Sequence, residues 1–155
     1  MSPTEARVAL LCAEIERDFA EVERQLERAN QHDPGASDPN AAWVALALDH
    51  AYEAFESLLV RIERALDLPP RAGERWHIDL LESSALDVPG LRPAIVPEAS
   101  VRDWLELLKF RHFLRHAYAA DLDAARLADN VDRLRRAIDA TGPQIRRLVQ
   151  ALRGA

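Results

Sequence analysis

Apolar residues recur every three or four positions along most of this chain, which is the period of an amphipathic α-helix. The first apolar stripe consists of Val8, Leu11, Ile15, Phe19, Val22 and Leu26. It predicts a long helix that begins after Ser2-Pro3-Thr4 and ends near Asn30, since residues 33–40 are rich in Pro, Gly, Asp and Asn. The sequence contains no strand pattern, so we expect an all-α fold.

The second apolar stripe predicts another long helix, over about residues 40–66. Its inner face is expected to consist of Trp43, Leu46, Ala47, Phe55, Leu58, Leu59, Ile62 and Leu66. A short helix around residues 74–83 follows. After it comes an irregular apolar segment at residues 88–97, which contains three prolines and is expected to lie across the bundle.

Two further helices complete the predicted bundle. The fourth covers about residues 98–118, and the last begins after Asp123, which suits an N-cap. The last helix is expected to be kinked or interrupted at Thr141-Gly142-Pro143, because proline lacks the N–H that a helix interior needs. Together these elements predict one domain over residues 1–155, an antiparallel bundle of four to five main helices.

The length of 155 residues suits one domain that needs neither disulfides nor a structural metal. Cys12 is the single cysteine, and its apolar neighbours predict a buried small residue rather than a nucleophile. No secretory leader opens the chain, and no apolar run approaches the roughly 20 residues of a membrane helix. We therefore expect a soluble cytoplasmic protein without a membrane partner.

Charge is distributed unevenly along the chain. The net charge of −6 argues against a surface that binds nucleic acid without specificity. Between Lys109 and Tyr118, however, there is no acidic residue, so a polyanion could be held locally. We interpret the arginines from Arg133 onward as an ordinary solvated face.

The segment at residues 111–118 concentrates the side chains that can do chemistry, with two arginines, two histidines and a tyrosine. Imidazoles exchange protons near neutral pH, and guanidinium groups hold phosphate with planar, permanently charged forks. The composition therefore suits acid–base chemistry on a phosphodiester without a metal.

The predicted fourth helix is apolar on two sides. At about 100° per residue, one side gathers Leu107, Phe110, Phe113, Leu114 and Ala117. Roughly opposite lie Val101, Trp104, Leu105 and Leu108. We expect a second subunit to cover the extra face, which predicts a homodimer through this helix. The alternative is that residues 88–97 cover Trp104 and Leu105 within one chain.

The polar residues of the same helix do not converge in a single copy. Arg111 and Tyr118 are seven positions apart and share a face, with Arg115 between them. His116 is displaced from Arg111 by about 140° around a straight helix. A twofold axis would bring the arginine of each copy near the histidines of both, so we expect a composite site at a dimer seam.

The spacing Arg111-x4-His116-x-Tyr118 resembles the Arg-x4-His-x-Tyr motif of the HepT-like toxins, a branch of the HEPN superfamily. Further segments similar to that family lie at residues 52–56, 76–81, 91–95 and 121–123. The likeness covers roughly residues 52–130.

The resemblance implies a helical bundle that dimerises so that two such motifs face each other, as in metal-independent endoribonucleases of the superfamily that need no cofactor. Arg111 would hold the scissile phosphate and stabilise its extra charge in the transition state. His116 would be the general acid or base at the 2'-hydroxyl or the 5'-oxygen leaving group, which gives a 2',3'-cyclic phosphate. The substrate would be RNA and not DNA, since DNA lacks the internal nucleophile.

The resemblance also implies a toxin–antitoxin pair. In HepT-like toxins a partner nucleotidyltransferase, the antitoxin, attaches AMP to the motif tyrosine and blocks the site, and the matching residue here is Tyr118. His112, Arg115 and Lys109 are expected to bind the substrate. Whether His112 also moves protons is open.

Arg111 has a structural interpretation as well, as one half of an ion pair with Glu53 or Glu56 of the second helix. If Arg111 binds substrate and Glu53 contacts it, the Glu53 carboxylate would orient the guanidinium. His50 and His77 lack spaced companions for a metal site, so we interpret both as core-edge or capping residues.

Two other functions stay open. HEPN-like bundles also accompany nucleotidyltransferases as noncatalytic helper subunits, which hold nucleotide in the same polar cleft. The other possibility is a scaffold dimer whose motif is vestigial.

Overall fold

Helices form the regular structure of the chain in the computed structural model, which describes residues 1–117 and 121–154. In these residues the α-helices are α1 Pro3–Ala29, α2 Asp38–Ala65, α3 Trp76–Ser84, α4 Val101–Leu114 and α5 Ala124–Arg153. A 3-10 helix, Glu98–Ser100, leads into α4. The described part of the chain contains no strand, and the all-α prediction is confirmed.

Local sequence signals explain where the long helices begin. Ser2 and Glu5 form a capping box at α1, in which each side chain accepts from the other residue's backbone N–H. Ser37 caps α2, and Asp123 caps α5 by accepting from the N–H of Ala125 at 3.1 Å. These N–H groups have no partner inside the helix, so each cap contributes roughly 1 kcal/mol. The prediction of Asp123 as an N-cap is confirmed.

The three long helices pack with α1 antiparallel to both α2 and α5. Arg61, late in α2, contacts Glu14 in the first half of α1 at 3.1 Å. Cys12, also in the first half of α1, lies 3.9 Å from the carbonyl oxygen of Val149 at the end of α5. Cys12 is fully buried, as predicted.

The bundle encloses α4 on both of its apolar sides. Trp104 is fully buried, and its ring stacks on Phe55 of α2 with 3.8 Å between the ring centroids. Its Nε1–H donates to Thr141 Oγ1 of α5 at 3.1 Å. The prediction that a second subunit must cover this face is wrong, because α2 and α5 cover it within one chain. Homodimerisation through another surface stays a prediction.

The end of α4 comes earlier than the sequence predicts. The last residue of the helix is Leu114, and the N–H groups of His116 and Ala117 bond to carbonyls three residues back, at 3.1 and 3.4 Å. Such 3-10-type bonds advance the chain by about 120° per residue. The angle of about 140° between Arg111 and His116 assumed a straight α-helix and therefore does not apply.

A proline lies inside α5, yet the helix continues through Thr141-Gly142-Pro143. Pro143 leaves one carbonyl without its helical partner, and a proline ring normally clashes with the Cβ of the preceding residue. Gly142 has no Cβ, so this clash is absent. The interruption that the sequence suggested does not occur.

Residues 88–97 form an irregular segment anchored to the end of α3. The carbonyl of Ser84 accepts from the N–H groups of Ile95 and Val96, and both of these side chains are buried. Arg92 is buried too, and its guanidinium donates to three backbone carbonyls at residues 83, 86 and 93. Burial lowers the pKa of Arg92. The segment is thus held by hydrogen bonds as well as by its apolar side chains.

Candidate functional site

Arg111, near the end of α4, is fixed by two carboxylates of α2. Its Nε donates to Asp49 Oδ1 at 3.1 Å, and its Nη1 lies 3.6 Å from Glu56 Oε1. Asp49 and Glu56 are seven residues apart, which places both on one face of α2, two turns from each other. The Arg111 side chain is only 14% exposed. The guanidinium is therefore held in a defined position rather than moving freely in solvent.

These contacts confirm that Arg111 pairs with an acidic residue of α2, but sequence reasoning identified only part of the pair. Glu56 was one of the two residues considered, and Asp49 was missed. Glu53 is exposed and makes no hydrogen bond or ion pair with Arg111 among the described residues. Glu53 was expected to orient the Arg111 guanidinium. In the structure, Asp49 and Glu56 make the contacts that hold this guanidinium in position. The sequence signal for this pair is the seven-residue spacing of Asp49 and Glu56, which places both on one helix face.

Glu56 joins α2 to α3 as well as to α4. Its Oε2 lies 2.6 Å from Nδ1 of His77, and both side chains are largely buried. The His77 ring stacks on Trp76 with 3.6 Å between centroids and meets the ring of His112 edge-on at 5.4 Å. Glu56 therefore connects Arg111 to the neighbouring histidines His77 and His112. His77 lies at the edge of the core, as predicted, and it also contacts Glu56 and His112 beside Arg111.

Sequence spacing could not have placed His77 here. The residue lies 34 positions before Arg111, on a short helix whose position depends on how α3 packs against α2 and α4. No periodic pattern along the chain points to this contact.

The His112 side chain is exposed, yet its pKa is lowered, chiefly because part of the ring is desolvated and then by the positive charges of His77, Arg115 and Arg111. A lowered pKa keeps the imidazole neutral at pH 7, so its free nitrogen can accept a proton or a hydrogen bond. His112 in this neutral form is thus suited to proton transfer and to hydrogen bonding. Its position beside His77 places it at the edge of the Arg111 site.

Tyr52 lies one turn before Glu56 and is buried. Burial raises the pKa of this phenol, and the negative charge of Glu56 raises it further. Tyr52 is therefore protonated at neutral pH, and its ring lies near that of Trp104 in the core.

Apart from Arg111, the basic residues of the motif region lie on the surface, His112 included. Arg115 and His116 follow the last turn of α4 and are exposed. Lys109 is exposed too, and its Nζ lies 3.0 Å from Glu106, which offsets part of its charge. No hydrogen bond joins His116 to Arg111 in the described residues, so one copy brings Arg111 together with His112 and His77 rather than with His116. Tyr118 lies outside the described residues.

One cluster beside Arg111 has the side chains of a metal site. Ligand atoms of Asp49, His50 and Glu53 all lie within 4.8 Å of one another, so His50 has the companions that sequence spacing did not suggest. Asp49 already accepts from Arg111, however, and Glu53 is exposed to water. We assign no metal to this cluster.

An apolar hollow adjoins the Arg111–Asp49 pair, with a volume of about 330 Å³. All of its lining residues except Asp49 are apolar, and they are Ala42, Ala45, Leu46, Leu114, Ala117 and Leu122. Leu46 was expected on the inner face of α2 but is 53% exposed. The hollow therefore leaves apolar surface open to a partner at the end of α4.

Residues 43–152 match a family model described as HepT-like protein. The match runs from within α2 to within α5 and includes the whole Arg111–Tyr118 motif. The chain belongs to the HepT-like family, which confirms the resemblance inferred from the motif spacing. This family is of the HEPN toxin type and is generally associated with ribonucleases.

Neither the curated proteins nor the solved structures contain a match to this chain. Among the described residues, no helix is both long enough and apolar enough to cross a membrane.

Proposed function

We propose that this protein is a metal-independent endoribonuclease toxin of a toxin–antitoxin pair. The observation that carries the proposal is the position of Arg111, whose guanidinium is fixed by Asp49 and Glu56 at the end of α4. Exposed Arg115 and His116 follow directly. A rigid guanidinium of one copy and an exposed imidazole of a second copy together have the chemistry that phosphodiester cleavage requires.

Arg111 binds the scissile phosphate in this proposal. Asp49 and Glu56 contact its Nε and Nη1, and Nη2 has no hydrogen-bond partner among the described residues. Nη2 is therefore the group that would donate to a phosphate oxygen. Because the guanidinium is already positioned, little reorganisation is needed as charge grows on the phosphate in the transition state.

His116 supplies the proton transfer. One imidazole takes the proton of the 2'-hydroxyl, and O2' attacks the phosphorus. The bond from phosphorus to O5' breaks, and O5' leaves with a proton from a second imidazole or from water, which yields a 2',3'-cyclic phosphate and a 5'-hydroxyl. The scheme needs a ribose, so RNA is cut and DNA is not.

The site is shared by two copies of the chain. The apolar hollow around Leu46 and Leu114 adjoins Arg111, so a second copy seated there would bring its own motif residues close. His116 of one copy would then act on the phosphate that Arg111 of the other holds. This arrangement replaces the interface first expected on the Trp104 face.

Neutralisation is proposed to occur at Tyr118. This residue follows His116 by two positions, so an adenylyl group on its hydroxyl would add bulk and negative charge beside the phosphate site. The nucleotidyltransferase antitoxin would be the enzyme that attaches it. Mass spectrometry after incubation with the antitoxin and ATP should locate the added group on Tyr118, and its appearance on another residue would refute this assignment.

The decisive experiment is RNA cleavage by purified protein in the presence of a chelator. Wild type should produce 2',3'-cyclic phosphate ends, and Arg111→Ala and His116→Ala should lose at least a hundredfold in rate, the usual contribution of an acid–base group. His32→Ala, which removes an exposed histidine of the α1–α2 loop, should cleave like wild type. Unchanged cleavage by either motif variant, or cleavage that needs a metal, would overturn the mechanism.

The second candidate is a noncatalytic nucleotide-binding helper subunit of a nucleotidyltransferase. The two carboxylates around Arg111 offset part of the positive charge that would stabilise the transition state, so they favour a site that holds phosphate without cleaving it. This function predicts that the protein binds nucleotide and the nucleotidyltransferase but leaves RNA intact.

A further inference from the structure

A groove of about 590 Å³ lies between α1 and α2 and is closed at one end by Trp76 of α3. Its lining combines apolar residues, which include Leu10, Leu11 and Val60, with arginines. The volume and the combination of an apolar lining with a few charged groups are typical of small-ligand sites. None of the functions discussed so far uses this groove.

The unpaired charge of the groove is positive. Arg61 is already bound by Asp18 at 2.7 Å and by Glu14 at 3.1 Å. Arg7 and Arg64 also line the groove, and neither forms an ion pair with another described residue. These two guanidinium groups therefore remain available to an anionic ligand.

The groove adjoins the Arg111 site through shared residues. Glu56 lines the groove and also lies 3.6 Å from Arg111. Trp76 lines the groove and stacks on His77, which in turn contacts Glu56 and the ring of His112. A chain bound at Arg111 therefore meets the groove at the Glu56–Trp76 end.

We propose that this groove binds a nucleotide of the RNA substrate next to the scissile phosphate. The base stacks against Trp76, and Arg64 and Arg7 hold the phosphate. An aromatic platform beside free arginines is the combination that binds single-stranded nucleic acid, because every base has a face that can stack. This inference rests on the proposed ribonuclease function and identifies the path of its substrate.

The test measures RNA binding without cleavage. The probe is a fluorescein-labelled single-stranded oligoribonucleotide of mixed sequence, fully 2'-O-methylated so that it lacks the internal nucleophile, and the readout is fluorescence anisotropy. Trp76→Ala should raise the Kd about tenfold, within the range expected for one stacked base. Trp76→Phe keeps an aromatic face and should restore most of the affinity.

Arg64→Ala provides an independent arm, because Arg64 is exposed and its replacement leaves the core intact. It should weaken binding and reduce the slope of log Kd against log salt by about 0.7, the change for one phosphate contact on a single strand. Arg147→Ala removes an equally exposed arginine of α5 that does not line the groove. It should bind like wild type with an unchanged slope.

The outcomes separate this inference from the proposed function. If wild type cleaves RNA but Trp76→Ala and Arg64→Ala bind the probe as tightly as wild type, the groove is not on the substrate path. Equal weakening by Arg147→Ala would show only a general charge effect and would also overturn the assignment. If wild type neither cleaves RNA nor binds the probe, the ribonuclease function itself fails.

Discussion

Glu56 is the residue on which the charged groups of the site converge. One of its oxygens lies 2.6 Å from His77, the other lies 3.6 Å from Arg111, and its side chain is largely buried. A buried carboxylate is stable only with such partners, since an unpaired charge in the interior costs several kcal/mol. Glu56 therefore positions Arg111 and His77 together, and replacing it would disturb both.

The coupling among these groups predicts how His112 titrates. His77→Gln removes a positive charge that lowers the pKa of His112, so that pKa should rise toward its ordinary value of 6.5. The change is a partial one, because desolvation is the larger cause and persists. NMR titration of the His112 ring measures it, with His32→Gln as the control. A pKa of His112 that stays the same or falls would contradict the electrostatic account.

The lowered pKa of His112 in the wild-type protein also predicts that stability depends on pH. The unfolded chain takes up a proton at His112 near pH 6.5, while the folded chain resists protonation to lower pH. The contribution of His112 to stability is therefore present above about pH 6.5 and is lost as the pH falls below it. In wild type, the midpoint of urea unfolding should fall over this interval more steeply than in His112→Asn. Parallel pH profiles for the two proteins would argue against this contribution.

The helices show how a local signal and its tertiary environment combine. The apolar period and the N-cap residues determine where α1, α2 and α5 begin. The end of α4 is different, because the chain there tightens into 3-10-type hydrogen bonds. α4 is joined to α5 by the hydrogen bond from Trp104 to Thr141. That bond lies in the core and is one of the contacts that join the two helices.

Thr141→Val tests this contact between elements. Valine has a similar shape but no hydroxyl, so the buried Trp104 N–H loses its acceptor, and the free energy of unfolding should fall by about 1–3 kcal/mol. Denaturant unfolding measures the change. In a Trp104→Phe background, which lacks the indole N–H, the same substitution should cost clearly less. Equal costs in both backgrounds would show that the hydrogen bond contributes nothing.

At the scale of the whole molecule, the open apolar surface lies beside the site rather than on the Trp104 face. Leu46 is 53% exposed in the hollow next to Arg111. Exposed apolar surface that adjoins half of the proposed composite site is the natural place for a second copy. The dimer proposed for RNA cleavage should therefore depend on Leu46.

Leu46→Glu should convert the dimer to a monomer and abolish RNA cleavage while leaving the fold intact, because a charge on this surface disfavours its burial. Light scattering after size-exclusion chromatography measures the mass, and circular dichroism checks the fold. Leu86→Glu changes an equally exposed leucine (58%) outside the hollow and should remain dimeric. A dimer that survives Leu46→Glu would place the interface elsewhere.

The sequence by itself determined the helical class, most helix boundaries, the burial of Cys12 and the family, since these depend on local period, capping residues and a short motif. It led to Arg111 as the centre of the site, because its spacing to His116 is readable along the chain. Only the tertiary structure decided that Asp49, Glu56 and His77 surround it, and that Trp104 is buried within one copy. The physical reason is that these contacts join residues of different helices, and how helices pack follows from the fit of many side chains at once rather than from any one stretch of sequence.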